Sequence, residues 1–563
     1  MYILGISCYY HDSAATLVKD GKIIAAAQEE RFNREKHSNV FPISAINYCL
    51  SKEGIIINDI DQIVFYERPF LKFHRVLKNL IGSFPRSFSA FMDLVPRYLG
   101  ERLVLPSKIK NTLDYDGKVL YIPHHISHAA SAFFTSGFEK ANILTVDGIG
   151  EYASMMIGYG EKNRIKGDKI LPYPGSVGLL YSAITTYLGF KANGGEGKVM
   201  ALADFGEPVY LDFLEKIMDL KEDGSFTCFE KYFDFSSGNR MFRNSLEKEI
   251  GPSRRPDQKI ERHHKDVAAS LQAFTEKSVI SIINNMIKKN GVKKLAVAGG
   301  VFLNCVLNRK ILEDTEVEQI HIFPAAGDAG GSSGCALFAY YHLFGGEERY
   351  TIKTAALGPK YLKNSIVNLA INRNLIIKEL SEEELIKDCA ESISLGKICG
   401  WFQGNMEFGP RALGNRSILA NPAADDIKEK LNRDVKHREW FRPYGVSVLD
   451  EKGSEIFEDY VTNSFMIMTD TVKKDKRKSI PGALHVNHSV RYQSVSSDDG
   501  KYYRLIKKFY EITNIPMVIN TSFNVQEPIV CSPEDAFDTF MNSNIERLYI
   551  EDFVVLKQEG DTK

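Results

Sequence analysis

The chain has 563 residues, of which 44% are hydrophobic and 25% charged, and its formal net charge is −1. This length exceeds what one hydrophobic core supports, so roughly two to four domains are expected. A charge so close to zero offers no attraction to nucleic acid or to a membrane, and we expect neither as a partner. The cysteines are scattered without a CxxC pair, and the N-terminus lacks a signal-peptide pattern. Both features favour a cytoplasmic protein with reduced thiols.

The chain opens with a strand, a polar loop and a hairpin. Residues 2–7 are apolar, and two further apolar runs are joined by Lys-Asp-Gly-Lys at 19–22. Asp-Gly between apolar runs predicts a tight turn between antiparallel strands. The loop holds His11 and Asp12 directly after the first strand. His11 could act as a general base oriented by Asp12; the alternative is an ordinary turn that Asp12 stabilises through its own backbone.

Three histidines lie in "HHISHAASAFF", which starts at His124. If this stretch begins a helix, His124 and His128 lie one turn apart on one face, a spacing that lets two imidazoles bind one metal ion. The alternative is that these histidines cap the helix or are half-buried polar residues. Asp147 in "TVDGIG" and Asp328 in "GDAGG" favour the metal interpretation. Two His and two Asp make a mixed site for iron, manganese or zinc.

The opening pattern returns near residue 142, where "NILTVDGIGEYASMMIGYG" again reads as a strand, an Asp/Gly loop and a strand. A repeat about 140 residues apart predicts two related halves. A long helix is predicted at 266–289, and both "KKLAVAGG" and "FPAAGDAGG" predict a strand that leads through glycines into a helix. Such junctions expose backbone N–H groups that suit phosphate.

Three glycine-rich loops, "VDGIGEYA", "NGGEGKVMALA" and "AGGVFLNCVLN", each border a predicted strand or helix start. Turns need glycine anyway, but three such loops favour a nucleotide site over isolated turns. Glu196 could accept hydrogen bonds from ribose hydroxyls, while Lys198 and Asn304 could face phosphates; the P-loop motif is absent from the sequence. The candidate nucleotide-binding residues are Gly148, Gly150, Glu196, Lys198, Gly299, Gly300 and Asn304.

A charged, aperiodic stretch at 345–362 separates two parts of the chain. Glycines and charges without periodicity are typical of a linker, and helix and strand patterns restart beyond it. We therefore predict a domain boundary near residue 355, with one domain at 1–355 and another at 356–563.

Basic residues are concentrated in the second part. Arg411 and Arg416 flank a glycine-containing turn, and Lys436 and Arg442 bracket an aromatic pair. Guanidinium groups match phosphate oxygens, so this pattern favours an anion pocket. The alternative is that these are surface cations paired with nearby glutamates.

Taken together, the motifs resemble one enzyme family. The resemblance runs from about residue 3 to residue 555 and rests on "HDSAA", "EERFNREKH", "HHISHAASAF", "VDGIGEYA", "GGEGKVMALA", "GGVFLN", "GDAGGSSGCAL", "FGPRALGNRSILA", "FRP" and "NTSFN" with "EPIV". In this order the motifs resemble the O-carbamoyltransferases that modify nodulation factors and aminoglycoside, ansamycin and cephamycin antibiotics.

The resemblance implies an α/β fold class, with a duplicated actin-like ATPase (ASKHA) fold followed by a YrdC-like α+β domain. It implies that carbamoyl phosphate and Mg-ATP give carbamoyl adenylate in the C-terminal domain. The carbamoyl group would then pass to a hydroxyl of a small-molecule acceptor in natural-product biosynthesis, with release of AMP. It does not indicate which acceptor is used.

The resemblance also implies roles for single residues. His11, with Asp12, would deprotonate the acceptor hydroxyl. A divalent metal ion, Fe(II) in the family, would be held by His124, His128, Asp147 and Asp328, whereas His125 would not be a ligand. Carbamoyl phosphate and ATP would be bound by Arg411, Arg416, Lys436, Arg442, Asn520, Ser522 and Asn524. One departure is "NTSFNVQEPIV", where the family pattern NTSFNxxGEPIV has one more residue, a glycine, in the turn after Asn524.

Two other functions remain open on the sequence: a small-molecule kinase or ATPase of the actin-like fold, and an enzyme of tRNA threonylcarbamoylation. The arginine-rich C-terminal part counts against a simple kinase, and the lack of excess positive charge counts weakly against tRNA. Residues 68–115, rich in Phe and Arg, could form the acceptor pocket or, equally, a packed helical insertion. The same apolar insertion is compatible with a homodimer.

Overall fold

The structure is a computed structural model, and it describes residues 1–82, 84–85, 87–97, 105–221, 225–228, 231–235 and 240–558. The chain divides into two compact units. The first contains Met1–Ala26 and Asn39–Ile352, and the second contains Ala27–Ser38 and Lys353–Lys563. Within the described residues, no helix has both the length and the apolar character needed to cross a membrane.

The first sheet of unit 1 is built by strands β1 (Tyr2–Ser7), β2 (Ala14–Lys19), β3 (Lys22–Gln28), β4 (Gln62–Phe65) and β5 (Val119–Tyr121). Their order across the sheet is β3-β2-β1-β4-β5. β1 is antiparallel to β2 and parallel to β4, and β4 is parallel to β5. The predicted Asp-Gly hairpin is confirmed: Asp20 and Gly21 join β2 to β3 with φ angles of 47° and 81°.

A second sheet repeats this arrangement. The next strands in the chain are β6 (Lys140–Val146), β7 (Ala153–Glu161), β8 (Arg164–Pro172), β9 (Met218–Leu220), β10 (Phe226–Cys228), β11 (Lys294–Ala298) and β12 (Gln319–Ile322). β9 and β10 form a separate pair, and the others have the order β12-β11-β6-β7-β8. β6 is antiparallel to β7 and parallel to β11, and β11 is parallel to β12. Because both sheets share one connectivity, the predicted duplication and its actin-like α/β fold are confirmed.

Helices cover the sheets and connect the strands. Up to residue 338 they are α1 (Glu30–Asn33), α2 (Ile43–Glu53), α3 (Pro69–Gly82), α4 (Phe88–Arg97), α5 (Leu105–Leu113), α6 (His124–Phe133), α7 (Val177–Tyr187), α8 (Glu196–Ala203), α9 (Leu211–Ile217), α10 (Asn244–Ile250), α11 (Arg262–Asn290), α12 (Cys305–Asp314) and α13 (Ala329–Phe338). The long helix predicted at 266–289 lies within α11. The histidine-rich stretch forms α6, as predicted, with Pro123 in front of its first turn.

Small residues in α13 allow close packing in the core of unit 1. A Cβ atom on Gly334 would lie 1.7 Å from the Ser127 carbonyl oxygen of α6, and one on Gly5 of β1 would lie 1.9 Å from the Ser332 carbonyl oxygen. Neither position has room for a side chain. The sequence associated the glycines of "GDAGGSSG" with phosphate. For Gly334, the last of them, close packing against α6 explains why the residue is glycine. This packing fixes α6, and with it the histidines, against α13.

The second unit holds a mixed sheet covered by helices. Its strands are β13 (Ile376–Glu379), β14 (Cys399–Phe402), β15 (Arg416–Ala420), β16 (Gly445–Leu449), β17 (Met468–Thr471), β18 (Ser489–Val495), β19 (Met517–Ser522), β20 (Arg547–Ile550) and β21 (Phe553–Leu556). Their order is β13-β21-β20-β14-β15-β19-β16-β18-β17. The helices are α14 (Lys363–Asn372), α15 (Glu382–Ser394), α16 (Ile427–Lys430), α17 (Gly453–Ile456), α18 (Lys501–Thr513) and α19 (Pro533–Met541). The likeness of this unit to YrdC stays a prediction.

Residues 27–38 leave the first unit and complete the second. Within the second unit, the Arg31 guanidinium donates to the Gly409 carbonyl at 2.8 Å. Arg34 donates to the Pro528 and Ile529 carbonyls at 2.6 and 2.8 Å and pairs with Asp535. The predicted division into 1–355 and 356–563 does not anticipate this exchange, because nothing in the local pattern of "QEERFNREKHS" indicates which core it joins.

Candidate functional site

Four side chains from three parts of unit 1 converge on one point. α6 supplies His124 and His128, the end of β6 supplies Asp147, and the residue before α13 is Asp328. His128 Nε2 lies 3.1 Å from His124 Nε2, 3.0 Å from Asp147 Oδ2 and 3.5 Å from Asp328 Oδ1. One ligand atom from each residue lies within 4.8 Å of all the others. The four residues predicted as metal ligands are therefore brought together.

The donor set fits a divalent cation. Two imidazole nitrogens face each other with two carboxylates around them, and His124, His128 and Asp328 are each no more than 1% exposed. Such buried, convergent groups are ordinarily stabilised by a shared ion. Two nitrogens with two carboxylate oxygens suit Fe, Mn or Zn better than Mg or Ca, which prefer oxygen alone.

The charges of this cluster are strongly coupled. Burial acts to lower the pKa of His128, but hydrogen bonds and charge interactions with Asp147 and Asp328 prevail and raise it to about 9. Burial acts to raise the pKa of Asp147, yet the two imidazoles hold it well below its usual range. Asp147 is therefore ionised, as a metal ligand has to be.

His125 belongs to the neighbouring structure rather than to the cluster. Its Nδ1 lies 2.8 Å from Thr145 Oγ1 of β6. Burial lowers its pKa to about 3, with further lowering by the other two histidines. His125 is thus a neutral core residue.

His11 and Asp12 lie beside the four residues. His11 Nδ1 is 2.9 Å from Asp12 Oδ2, and His11 Nε2 is 3.8 Å from Asp328 Oδ2. Asp12 has a φ of 52°, a left-handed conformation that Asp tolerates better than most residues. This backbone turn brings the Asp12 carboxylate back to the imidazole of His11, the preceding residue. One imidazole nitrogen is therefore oriented by Asp12, while the other faces the Asp328 side of the site.

Helix α3 contributes side chains that the sequence did not single out. Lys72 is buried, pairs with Glu67 at 2.7 Å, and its ammonium lies 4.8 Å from the centre of the Tyr10 ring. Arg75, one turn later, donates to the Gly150 carbonyl at 2.7 Å. Both residues fall within the predicted acceptor segment 68–115, in which residues 83, 86 and 98–104 lie outside the described part. Their spacing of three on an amphipathic helix was the available signal.

The glycines of two loops pack around Asp147. A Cβ on Gly150 would lie 2.7 Å from His124 Cδ2, and one on Gly300 would lie 3.1 Å from Asp147 Oδ1. Gly299 has a φ of 103° and approaches the Val146 carbonyl. A Cβ on Gly148 would meet only open space. Gly150 and Gly299 are thus required by close approach, to His124 and to the Val146 carbonyl, and Gly300 packs tightly beside Asp147. The role of these glycines toward a nucleotide stays a prediction.

The other predicted nucleotide residues make contacts within the fold. The Glu196 carboxylate accepts hydrogen bonds from the backbone N–H groups of Asn193 and Gly194 at 2.9 and 2.8 Å. Asn304 caps α12 through the Leu307 N–H at 3.0 Å. The Lys198 ammonium lies 5.6 Å from the centre of the Phe190 ring. Glu196 and Asn304 are therefore engaged in capping a loop and a helix, and ribose and phosphate contacts stay predictions.

In the second unit, Lys436, Ser522 and Asn524 form one network. The Lys436 ammonium donates to the carbonyl of Asn524 at 2.8 Å and to its Oδ1 at 2.9 Å, and Ser522 Oγ donates to the same Oδ1 at 2.7 Å. Burial holds the Lys436 pKa well below its usual range, with further lowering by Arg438, Arg442 and other cations. The group lies at the end of β19.

Arg442 extends this network into a cation cluster. Burial lowers the Arg442 pKa; Glu439 opposes the shift and Arg491 adds to it. Arg438 and Arg491 did not stand out in the sequence, and neither did Lys36, whose charge also acts on Lys436. We call Lys36, Lys436, Arg438, Arg442 and Arg491 the cation cluster.

Arg416 and Asn520 also make contacts within the fold, and their role toward phosphate stays a prediction. The Arg416 guanidinium is fully buried, lies 3.5 Å from the centre of the Phe402 ring, and donates to four backbone carbonyls: those of Pro359, Gln403, Gly404 and Asn415. The buried Asn520 amide donates to Ala412 and Ser447. Both residues lie on strands whose side chains point inward. Arg411, in the loop before β15, is half-buried.

Two protein-family models match successive parts of the chain. Residues 2–337 match the family model described as carbamoyltransferase N-terminus, and residues 390–557 match carbamoyltransferase C-terminus. The chain belongs to the carbamoyltransferase family. The resemblance identified from the motifs, and with it the assignment as a transferase enzyme, is confirmed.

Relatives extend over the whole chain. An uncharacterised protein of Synechocystis is 40% identical over 99% of this chain and 97% of its own length. Nodulation protein NolNO of Sinorhizobium fredii is 35% identical over 98% of this chain and 79% of its own length. The solved structure of T. kodakarensis HypF, at 15% identity, covers 61% of this carbamoyltransferase and 48% of that chain with a TM-score of 0.33. The assignment of the fold comes from the connectivity of the sheets.

Proposed function

We propose that this carbamoyltransferase is an ATP-dependent O-carbamoyltransferase that acts through carbamoyl adenylate. Water attacks the phosphorus of carbamoyl phosphate and the bond to the carbamoyl oxygen breaks, which gives carbamate and inorganic phosphate. The carbamate oxygen then attacks the α-phosphorus of ATP and releases pyrophosphate. The acceptor hydroxyl then attacks the carbamoyl carbon, and the bond to the AMP oxygen breaks. The observation that carries the proposal is the convergence of His11 with two histidines and two aspartates in a member of this family.

The cation cluster supports adenylate formation in the second unit. Carbamoyl phosphate and the triphosphate are polyanions, and a partly buried guanidinium binds phosphate strongly because little water competes. Arg442 and Lys436 lie within this cluster, and Arg438 and Arg491 add charge. Ser522 and Asn524 hold the Lys436 ammonium in place. Arg411 stays a candidate for the same role.

The residues of unit 1 support the transfer step. His124, His128, Asp147 and Asp328 would hold a divalent ion, Fe(II) by resemblance, which supplies Lewis-acid chemistry toward the phosphate of the departing AMP. His11 accepts the proton of the acceptor hydroxyl at Nε2, while Asp12 holds Nδ1 and fixes the tautomer. A hydroxyl is a poor nucleophile near neutrality, so this proton transfer limits an uncatalysed reaction.

The acceptor is proposed to bind beside helix α3. Tyr10 lies next to His11, with ring centres 4.5 Å apart, and the Lys72 ammonium lies over the Tyr10 ring. Arg75 ties the same helix to the loop after Asp147. An acceptor with a hydroxyl and hydrogen-bonding groups matches such a lining. A natural-product acceptor and a cytoplasmic location are further parts of the proposal that rest on the sequence.

The proposal is tested without the acceptor. The purified, iron-loaded protein is incubated with carbamoyl phosphate and Mg-ATP, and the nucleotides are separated by chromatography. AMP and pyrophosphate that form only with carbamoyl phosphate are the expected products. ADP would contradict the adenylate route and support the kinase alternative. The matched comparison is Arg442→Ala, which should weaken the AMP signal by roughly thirtyfold while the protein stays folded.

A further inference from the structure

Helices α3 and α4 carry a stripe of exposed apolar side chains. On α3, Phe70 is 65%, Leu71 42% and Ile81 63% exposed. These residues fall on one helical face together with exposed His74 and Lys78, because steps of three and four residues return to the same side. The opposite face of α3 holds buried Pro69, Lys72 and Leu80. Helix α3 thus has apolar side chains on two sides: one side packs in the core, and the other is exposed to solvent beside polar residues.

The stripe continues beyond α3. Phe84 is 67% exposed, and on α4 Phe88 and Met92, one turn apart, are 56% and 58% exposed. The Phe84 and Phe88 rings meet edge to face at 6.4 Å. Contiguous exposed apolar surface of this kind marks a binding surface, whereas single exposed apolar residues do not. We call Phe70, Leu71, Ile81, Phe84, Phe88 and Met92 the apolar stripe.

The same segment is strongly basic. Residues 68–97 contain six Lys or Arg against one Asp, in a chain whose net charge is −1. Lys72 is paired with Glu67 in the interior, but Arg68 and Lys78 are exposed among the described residues. The rest of the chain therefore carries a net negative charge, and Arg68 and Lys78 place exposed positive charge beside the apolar stripe.

We propose that the apolar stripe and its cations form a docking surface for an anionic lipid bilayer. Amphipathic helices with Phe and Leu on one side and Lys or Arg beside them lie in the interface between lipid headgroups and acyl chains. The apolar side chains enter the acyl boundary, and the cations remain with the anionic headgroups. This revises the sequence expectation of no membrane partner, which rested on the net charge of the whole chain and overlooked its uneven distribution.

The charge argues against the other occupants. A second copy of the chain would bring exposed Arg68 and Lys78 of one surface near those of the other, and like charges repel across an interface. A nucleic acid would attract the cations but would leave exposed Phe70, Ile81 and Phe84 without an apolar partner. A bilayer satisfies both properties at once. The inner face of α3 holds Lys72 and Arg75 near Tyr10 and Gly150, so docking and the proposed acceptor site share one helix.

The test is flotation of the full chain with vesicles of phosphatidylcholine alone or mixed with phosphatidylglycerol. We expect binding to the mixed vesicles that weakens as salt rises, and little binding to phosphatidylcholine alone. The variant Phe70→Ser with Ile81→Ser should reduce partitioning about tenfold or more. Lys78→Gln should reduce it about fivefold. Leu395→Ser, at a residue 77% exposed in the second unit, is the matched control and should bind like the parent protein.

The outcomes separate this proposal from the carbamoyl chemistry. Formation of AMP and pyrophosphate by the stripe variant shows that it is folded and that the proposed activity is intact. Equal flotation of the parent and the stripe variant would overturn the proposal. It would also be overturned if the mixed vesicles bind no protein. A dimer in sedimentation that the stripe variant converts to monomer would identify a second copy as the occupant instead.

Discussion

The two charged clusters of this enzyme are built with opposite signs. In the first unit, His124, His128, Asp147 and Asp328 present more ligand atoms than the protein itself satisfies. In the second unit, Lys436 and Arg442 lie with further cations in a buried setting. The first cluster requires a cation and the second requires an anion. The comparison teaches that the two proposed half-reactions would rely on groups of different charge, a metal-binding set in one unit and cations in the other.

Removal of a ligand from the first cluster should have the largest effect. Asp328→Asn leaves the two imidazoles without one of their two carboxylates, so we expect bound iron to fall and transfer to drop by about a thousandfold. Metal content by mass spectrometry and carbamoyl transfer are measured together. The control is Asp168→Asn, on the partly exposed strand β8. Full iron occupancy in Asp328→Asn would contradict the assignment of the site.

His11→Asn should separate the two half-reactions. The variant loses the base at Nε2, so transfer should fall roughly a hundredfold to ten-thousandfold. Formation of AMP and pyrophosphate coupled to carbamoyl phosphate in the second unit should be unchanged in single-turnover experiments. If both steps were lost to the same extent, the role of His11 as the acceptor base would be wrong.

Arg442→Ala should have the converse effect. Loss of a charge-assisted contact with phosphate costs about 2 kcal/mol, so adenylate formation should weaken by roughly thirtyfold. Transfer from chemically supplied carbamoyl adenylate should be retained. Arg433→Ala, an exposed arginine near the cluster in sequence, is the matched control. An equal loss in both variants would indicate a general charge effect instead of a phosphate site.

Arg416→Met should affect stability more than chemistry. The substitution keeps the apolar stem against Phe402 but leaves four buried carbonyls without their donor. We expect a loss of about 3 kcal/mol in the free energy of unfolding, measured by denaturant titration. The folded fraction should still form AMP. If the variant has the free energy of unfolding of the parent protein but forms no AMP, Arg416 would be a phosphate-binding residue instead.

Predictions from the sequence were most accurate where the spacing of residues determines on which face of a helix or at which end of a strand their side chains lie. His124 and His128 are four residues apart on one helix, so they had to share a face, and the repeated Asp-Gly loop indicated the end of a strand for Asp147. The repeated strand pattern predicted two related halves, and the shared connectivity of both sheets confirms them. These inferences need only local geometry.

Inference from residue type alone was weaker. Arg416 and Lys436 look alike in sequence as cations in loop-rich surroundings. In the structure both are buried and both donate to backbone carbonyls, but Arg416 does so from the start of β15. The direction of a side chain at a strand start depends on register, which one sequence does not fix. Arg438, Arg491 and Lys36 were missed because they join the cluster only through long-range folding.

Because residues 27–38 belong to the second unit, no single cut in the chain separates the two units. A fragment that begins at residue 356 would lack Arg31 and Arg34, and with them the donors to the carbonyls of Gly409, Pro528 and Ile529. The first half of the chain contains all of unit 1, whereas unit 2 needs this segment from the first half. A twelve-residue peptide of this segment is thus the part that a protein split at the predicted boundary would have to supply to its second fragment.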